Sequence, residues 1–275
     1  MTAPRSHQPA EDSAFVSYVV ATYNCADRVE TLNETIRRLP TTDCEFCISD
    51  GASGDGTVEA IVDAPNVRVL RSSPDNGIYD AWNQVLDGCR GEYLAFIGVD
   101  DQPIPGFVAA AKQACSSAEQ PPLLIYGDRI LQRGNYRRTL HYSGRPRLFE
   151  ADKPVFDIPH QGALNHRSLI DTRQFDGQFQ LAGDLEFYIA LRDRIRDGGY
   201  RHLPMPQVVA SEEGLSRSAG SFAIYMREFH AIEERYGLTL GYPKARLRLL
   251  DLAARVPGLF GILKNASWMI NHDKA

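Results

Sequence analysis

The chain has 275 residues, 43% hydrophobic and 24% charged, with a formal net charge of −5. That is material for one large domain, or one domain with an appendage, and the acidic balance argues against a nucleic-acid binder. Five cysteines without framework spacing argue against a disulfide scaffold, and no apolar run approaches the roughly 18 residues of a membrane span. The expected location is therefore the cytoplasm.

Residues 1–14, MTAPRSHQPAEDSA, are polar, lack the apolar centre of a signal peptide and read as a disordered tail. FVSYVVA (15–21) is a β-branched run of strand length. DRVETLNETIRRL (27–39) places Val29, Leu32, Ile36 and Leu39 at helical spacing, with Asp27 as the expected cap and Glu30 supporting it. EFCISD then reads as strand, GTVEAIVDA as helix and VRVLRS as strand. Cys44 and Cys47 lie three apart on that second strand and so point to opposite faces, which favours buried thiols over a shared metal. GIYDAWNQVLDGC carries Ile78, Trp82, Val85, Leu86 and Cys89 on one helical face, and EYLAFIGV is a fourth strand, apolar on both sides. Alternating strands and helices predict a mainly parallel sheet covered by helices.

The pattern changes after residue 101. PPLLIYGDRIL and YRRTLHYS flank a predicted hairpin turn at 132–135, with Arg129, Arg133, Arg137 and Arg138 around it, expected to be a solvated face. DLEFYIALRDRIR (184–196) reads as a helix ended by Gly198 and Gly199, and SFAIYMREFHAIEERYG as another. Residues 244–271 are helix-prone, apolar and basic. They fit either a terminal helix packed on the core or a peripheral contact with an anionic membrane surface.

In an open parallel sheet, ligands bind beyond the carboxyl ends of the strands. Polar residues gather there repeatedly: Thr22, Tyr23 and Asn24; Asp50 and Asp55; Asn76 and Gly77; Asp100 and Asp101. The first of these loops has no glycine, so the dinucleotide fingerprint is absent, as is the Walker-type glycine-lysine loop. A nucleotide pyrophosphate could instead be neutralised by a divalent cation on the Asp100–Asp101 pair, since Mg2+ needs only one or two protein carboxylates.

Taken together, VVATYN, SDGASGDGT, DNGIYDAWN and GEYLAFIGVDD, in this order, resemble glycosyltransferase family 2 of the GT-A fold. The form with GIYDAWN is similar to bacterial surface-polysaccharide transferases of the colanic-acid type. The resemblance spans roughly 15–215 and implies an α/β GT-A domain, with 216–275 as a helical extension on the domain or at a membrane interface. It implies an inverting hexosyl- or N-acetylhexosaminyl-transferase. The expected donor is a nucleotide-diphospho-sugar, UDP-sugar favoured, the cofactor Mn2+ or Mg2+, and the acceptor a saccharide or lipid-linked saccharide. Thr22, Tyr23 and Asn24 should line the nucleoside pocket, Asp50 should bond the base, Asn76 should lie near the donor, Asp100 should take the ribose and Asp101 the metal. Val99 stands where a strict D-x-D motif has its first Asp, and Trp82 stands where many relatives carry Arg. If the fourth strand persists to its end, Asp100 and Asp101 face opposite sides.

Asp184 falls on the family's base position, with a helix N-cap as the structural alternative. Glu186 is the rival base, about 200° away on the helix. His160 and Gln161, in IPHQGALNHRS, are candidates for the acceptor or the diphosphate, and His166 is left at the surface. SEEGLSRS (211–218) resembles a loop that closes over the donor. Two other functions compete with transfer: a non-catalytic nucleotide-sugar-binding subunit of a polysaccharide assembly complex, and a sugar-nucleotide pyrophosphorylase, which the missing first-loop glycines weaken.

Overall fold

In the computed structural model, residues 14–150, 153–211 and 221–242 are described. The expected tail, the loop beyond Ser211 and the segment 244–271 lie outside them. The first half alternates strand and helix: β1 (Val16–Thr22), α1 (Val29–Arg38), β2 (Cys44–Asp50), α2 (Thr57–Ala60), β3 (Val67–Ser72), α3 (Ile78–Asn83) and β4 (Tyr93–Ile97). A second group follows: β5 (Gln102–Pro103), α4 (Pro105–Ser116), β6 (Leu124–Arg133), β7 (Tyr136–Leu140), β8 (Leu164–His166), α5 (Arg167–Thr172), α6 (Gly183–Gly198), β9 (Tyr200–Ser211) and α7 (Ser221–Tyr236).

These strands form one sheet in the order β3-β2-β1-β4-β8-β6-β9-β5, with β7 paired to β6. The run from β3 to β4 is wholly parallel, and antiparallel pairs enter through β8, β7 and β5. Chain progression reverses between β1 and β4, so the crevice of an open α/β sheet opens at Thr22 and after Ile97. Strands β1, β2 and β4 are buried on both faces because helices cover both, whereas β3 at the sheet edge is largely exposed. Val16, Tyr18 and Val20 of β1 pack with α1 and α4 on one side. Val19 packs with Trp82, Phe96 and α6 on the other. Cys44 and Cys47 divide between the same two layers, as the strand period requires.

Several boundaries differ from expectation, each for a local reason. Asp27 does not cap α1: Arg28 occupies the N-cap position and no side chain bonds there. Helix α2 stops after one turn because Asn33 takes over its backbone, donating to Ala60 O at 2.9 Å and accepting from Val62 N at 2.8 Å. Helix α3 ends at Asn83, whose side chain turns to bond the backbone of Phe175 in both directions. Among the described residues no helix is long and apolar enough to cross a membrane.

Candidate active site

The loops after β1, β2 and β3 are stitched into one rim. Asp50 is fully buried, and its oxygens accept from Thr22 Oγ1 at 3.0 Å, Ser53 Oγ at 2.5 Å, Ser53 N at 2.8 Å and Ser72 Oγ at 2.7 Å. Burial alone would raise its pKa, but these bonds, led by Ser53, hold it below the usual carboxylate range. A carboxylate has about four acceptor directions, and Thr22, Ser53 and Ser72 occupy those of Asp50, which ties the three loops together. Thr22 is likewise buried and spent on Asp50. Asn24 adopts φ +43°, and its side chain accepts from Gly54 N at 3.0 Å while Ala26 N donates to Asp55. Tyr23 is left 64% exposed at the mouth. At Gly51 a Cβ would meet Asp75 Oδ2 at 2.6 Å and the Tyr23 ring at 3.1 Å, so a larger residue there would displace the side chains that close over the backbone. Asn76 is exposed but engaged, donating to Asp80 Oδ2 from both backbone and side chain.

The fourth strand ends at Ile97, and Gly98 to Asp101 form a turn closed by Asp101 N on Gly98 O at 3.1 Å. The strand does not persist, so strand alternation is not what separates the two carboxylates; the turn does it. Asp100 points to Arg28, with Arg28 Nη1 donating to it at 3.0 Å. Asp101 is only 7% exposed and accepts from Gly98 N at 2.7 Å. Burial pushes its pKa up to about 6, against the Gly98 N–H and the fields of His160 and Arg129. A buried carboxylate that its neighbours compensate only in part favours an added cation.

Asp184 lies in the first turn of α6, with Ala182 at the N-cap position. Its Oδ2 meets His160 Nδ1 at 2.7 Å; its Oδ1 accepts from Leu185 N at 2.9 Å and from Tyr79 Oη at 3.2 Å. Burial opposes ionisation, yet His160 and these donors hold the carboxyl below its ordinary range. Asp184 also faces a cavity of about 170 Å³ lined by Phe156, Leu181, Tyr225, Phe229 and Tyr242. Glu186, the rival, has no exposure and is bound by Arg173, Arg235 and Tyr236. It belongs to the packing of α6 on α7.

Gln161 does not stand alone: it accepts from Arg129 Nη1 at 2.6 Å, and buried Gln207 donates to the carbonyls of Pro159 and Gln161. Arg129 is thus drawn from the expected solvated face into the site. His166 is half-buried, with its ring against Tyr93 and its Nδ1 at Ser168. Trp82 is buried against Phe96 and Phe175. Sequence reasoning missed Arg28, Tyr79, Arg129 and Glu228. The last accepts from the backbone N–H groups of Gln180, Leu181 and Ala182 at 2.7, 3.0 and 2.8 Å, clamping the approach to Asp184. None has a local signal, because each acts across a long sequence separation.

The family model described as "Glycosyl transferase family 2" matches residues 17–173. A PGL/p-HBAD biosynthesis glycosyltransferase of Mycobacterium bovis is 29% identical over 180 residues, 63% of this chain and 68% of that protein. An uncharacterized glycosyltransferase of Mycobacterium tuberculosis is 30% identical over 181 residues, 63% of this chain and 67% of that protein. Among solved structures, glucosyl-3-phosphoglycerate synthase from M. tuberculosis superposes with TM-score 0.56 at 17% identity, covering 83% of this chain and 80% of that one. S. aureus TarS (1–349) superposes with TM-score 0.54 at 16% identity, covering 87% and 69%. At such identities the structural likeness establishes the shared GT-A fold.

Proposed function

Because the chain belongs to glycosyl transferase family 2, we propose that it is an inverting, metal-dependent transferase. It moves a hexosyl or N-acetylhexosaminyl group from a nucleotide-diphospho-sugar to a saccharide or lipid-linked saccharide in cell-surface glycan assembly. A UDP-sugar is the favoured donor: TarS has been solved with UDP and with UDP-GlcNAc, and the synthase with Mn2+ and UDP. A mannosyltransferase neighbour with GDP-Man and Mn2+ supports the divalent cation while showing that the base varies within this fold.

The residues fit the cation. Asp101 supplies a buried, incompletely compensated carboxylate, and among the described residues no three His, Cys, Asp or Glu side chains gather into a closed cage. That suits an ion whose shell is completed by phosphate oxygens and water. When bound, Mn2+ or Mg2+ supplies charge to the departing diphosphate. Asp100, paired with Arg28, is proposed for the ribose. Tyr23 is proposed as the nucleoside platform, on a rim that Thr22, Asn24 and Asp50 hold in shape. Asn76, engaged with Asp80, is proposed to border the donor.

The observation that carries the reading is Asp184: buried, held ionised, and facing a cavity. His160, Tyr79 and Leu185 occupy three of its acceptor directions, which leaves one for an acceptor hydroxyl. That hydroxyl oxygen attacks the anomeric carbon, the bond to the diphosphate oxygen breaks with its electron pair, and Asp184 takes the hydroxyl proton. A single displacement inverts the anomeric centre. The carboxylate is a weak base, which suffices because the hydroxyl becomes strongly acidic as the new bond forms. Asp184→Asn should keep UDP binding by calorimetry and lose transfer by about 10²–10⁴-fold. Asp101→Ala should lose Mn2+-dependent UDP binding. Wild-type transfer rates in Asp184→Asn would sink the assignment, and a protein that never hydrolyses nucleotide sugars with Mn2+ would be a binding subunit instead.

A further inference from the structure

We propose that the aromatic-walled cavity at Asp184 is the acceptor subsite and that it seats a single terminal pyranose ring. The proposal rests on Asp184 serving as the base, and it adds the acceptor's shape and the residues that select it. At about 170 Å³ the cavity is one ring in size; an engineered apolar cavity of about 150 Å³ holds one benzene. Its walls are rings. Phe229 and Tyr242 lie nearly parallel, 17° apart with centroids at 4.8 Å, and Tyr225 leans on Phe229 at 5.6 Å. Phe156 lies near-parallel to His160 at 6.4 Å, joining this wall to the partner of the base.

Such walls match the C–H face of a pyranose, which is apolar although its edge is hydroxylated. Polar side chains join the rings in the lining, Asp184 and Tyr242 among them. Asp184 has one acceptor direction left, and Tyr242 Oη accepts from Phe156 N at 3.1 Å, which leaves the phenol proton to donate. A ring stacked on the aromatic wall with one edge hydroxyl at Asp184 satisfies both. The cavity is also held in shape: Leu181 and Ala182, which line it, are the residues whose N–H groups Glu228 clamps. Glu228 and the wall residues Tyr225 and Phe229 all belong to α7, so one helix supplies two of the wall rings and clamps the backbone leading to Asp184.

The test is saturation-transfer NMR on the full chain with UDP and Mg2+. The probes are the methyl glycosides of glucose, galactose, mannose, rhamnose and N-acetylglucosamine, with 1-hexanol as an acyl-chain mimic. At least one pyranoside should receive saturation on its ring hydrogens. Leu181→Trp, which fills the cavity, should cut that signal at least ten-fold, and Phe229→Leu, which keeps bulk but removes the ring face, several-fold. Each variant's thermal melt checks that it folds. Three results overturn the proposal: no pyranoside contacts the wild type; contact survives intact in the folded variants; or hexanol displaces the sugars. The wild-type panel decides even if a variant fails to fold. Hydrolysis of UDP-sugars by the wild type with Mn2+ is measured alongside, so that failure of the transferase reading registers there and failure of the subsite in the NMR.

Discussion

Asp184 is a carboxylate whose neighbours decide its chemistry. Burial works against its charge, and His160 at 2.7 Å, with the Leu185 and Tyr79 donors, more than offsets this. Its folded pKa therefore lies below the unfolded value of about 3.9, so the stability it contributes is present above about pH 4 and lost as pH falls through the folded value. The stability gap between wild type and Asp184→Asn in urea should accordingly be flat near neutrality and shrink below pH 4. His160→Ala should raise the Asp184 pKa, lower transfer and move the acid limb of the pH–rate profile upward. An unmoved acid limb would show that His160 only packs. Asp184 as the candidate base came from the family pattern; its pairing with His160 did not, since nothing local to either residue links them.

At the scale of elements, the site depends on how α3 meets α6. Tyr79 of α3 sends its hydroxyl to Asp184 and packs its ring against Gly183, where a Cβ would come within 2.7 Å of the ring. Gly183→Ala must therefore displace Tyr79 or the start of α6. Overpacking of this kind costs about 1–3 kcal/mol. The expected result is a lower urea midpoint together with a loss of transfer larger than the loss of UDP binding. Periodicity foretold both helices but not this contact, because Tyr79 and Asp184 lie 105 residues apart in the chain. The strands were easier to foresee: β1 to β4 appear within a residue or two of their expected runs, and burial on both faces gives β1 and β4 a nearly uninterrupted apolar signature.

At the scale of the molecule, α7 is joined to the sheet domain through charge. Glu186, without exposure, accepts from Arg173, Arg235 and Tyr236, and Arg235 also reaches Asp176 at 2.7 Å. Removing the carboxylate leaves two guanidinium groups facing each other. Breaking a buried pair costs about 3–5 kcal/mol, and the arginines, about a third exposed, recover part of that by hydration. Glu186→Ala should lose about 2–3 kcal/mol in urea unfolding and weaken pyranoside contact in the NMR test, while Glu186→Gln should lose less of each. No loss in either variant would mean that α7 is held by its apolar face alone, through residues such as Ile232.

The sequence by itself determined the α/β alternation, the gathering of polar residues at the strand ends, the Asp100–Asp101 pair and the segment that carries Asp184. These are local patterns, set by side-chain period and by short motifs. Tertiary structure alone decided which groups each carboxylate meets. Asp50 is consumed by Thr22, Ser53 and Ser72; Asp100 meets Arg28; Asp101 stays partly uncompensated; Asp184 meets His160 and Tyr79; Glu186 is locked into α7. A carboxylate's role follows from its burial and its donors, and here most of those donors come from distant parts of the chain.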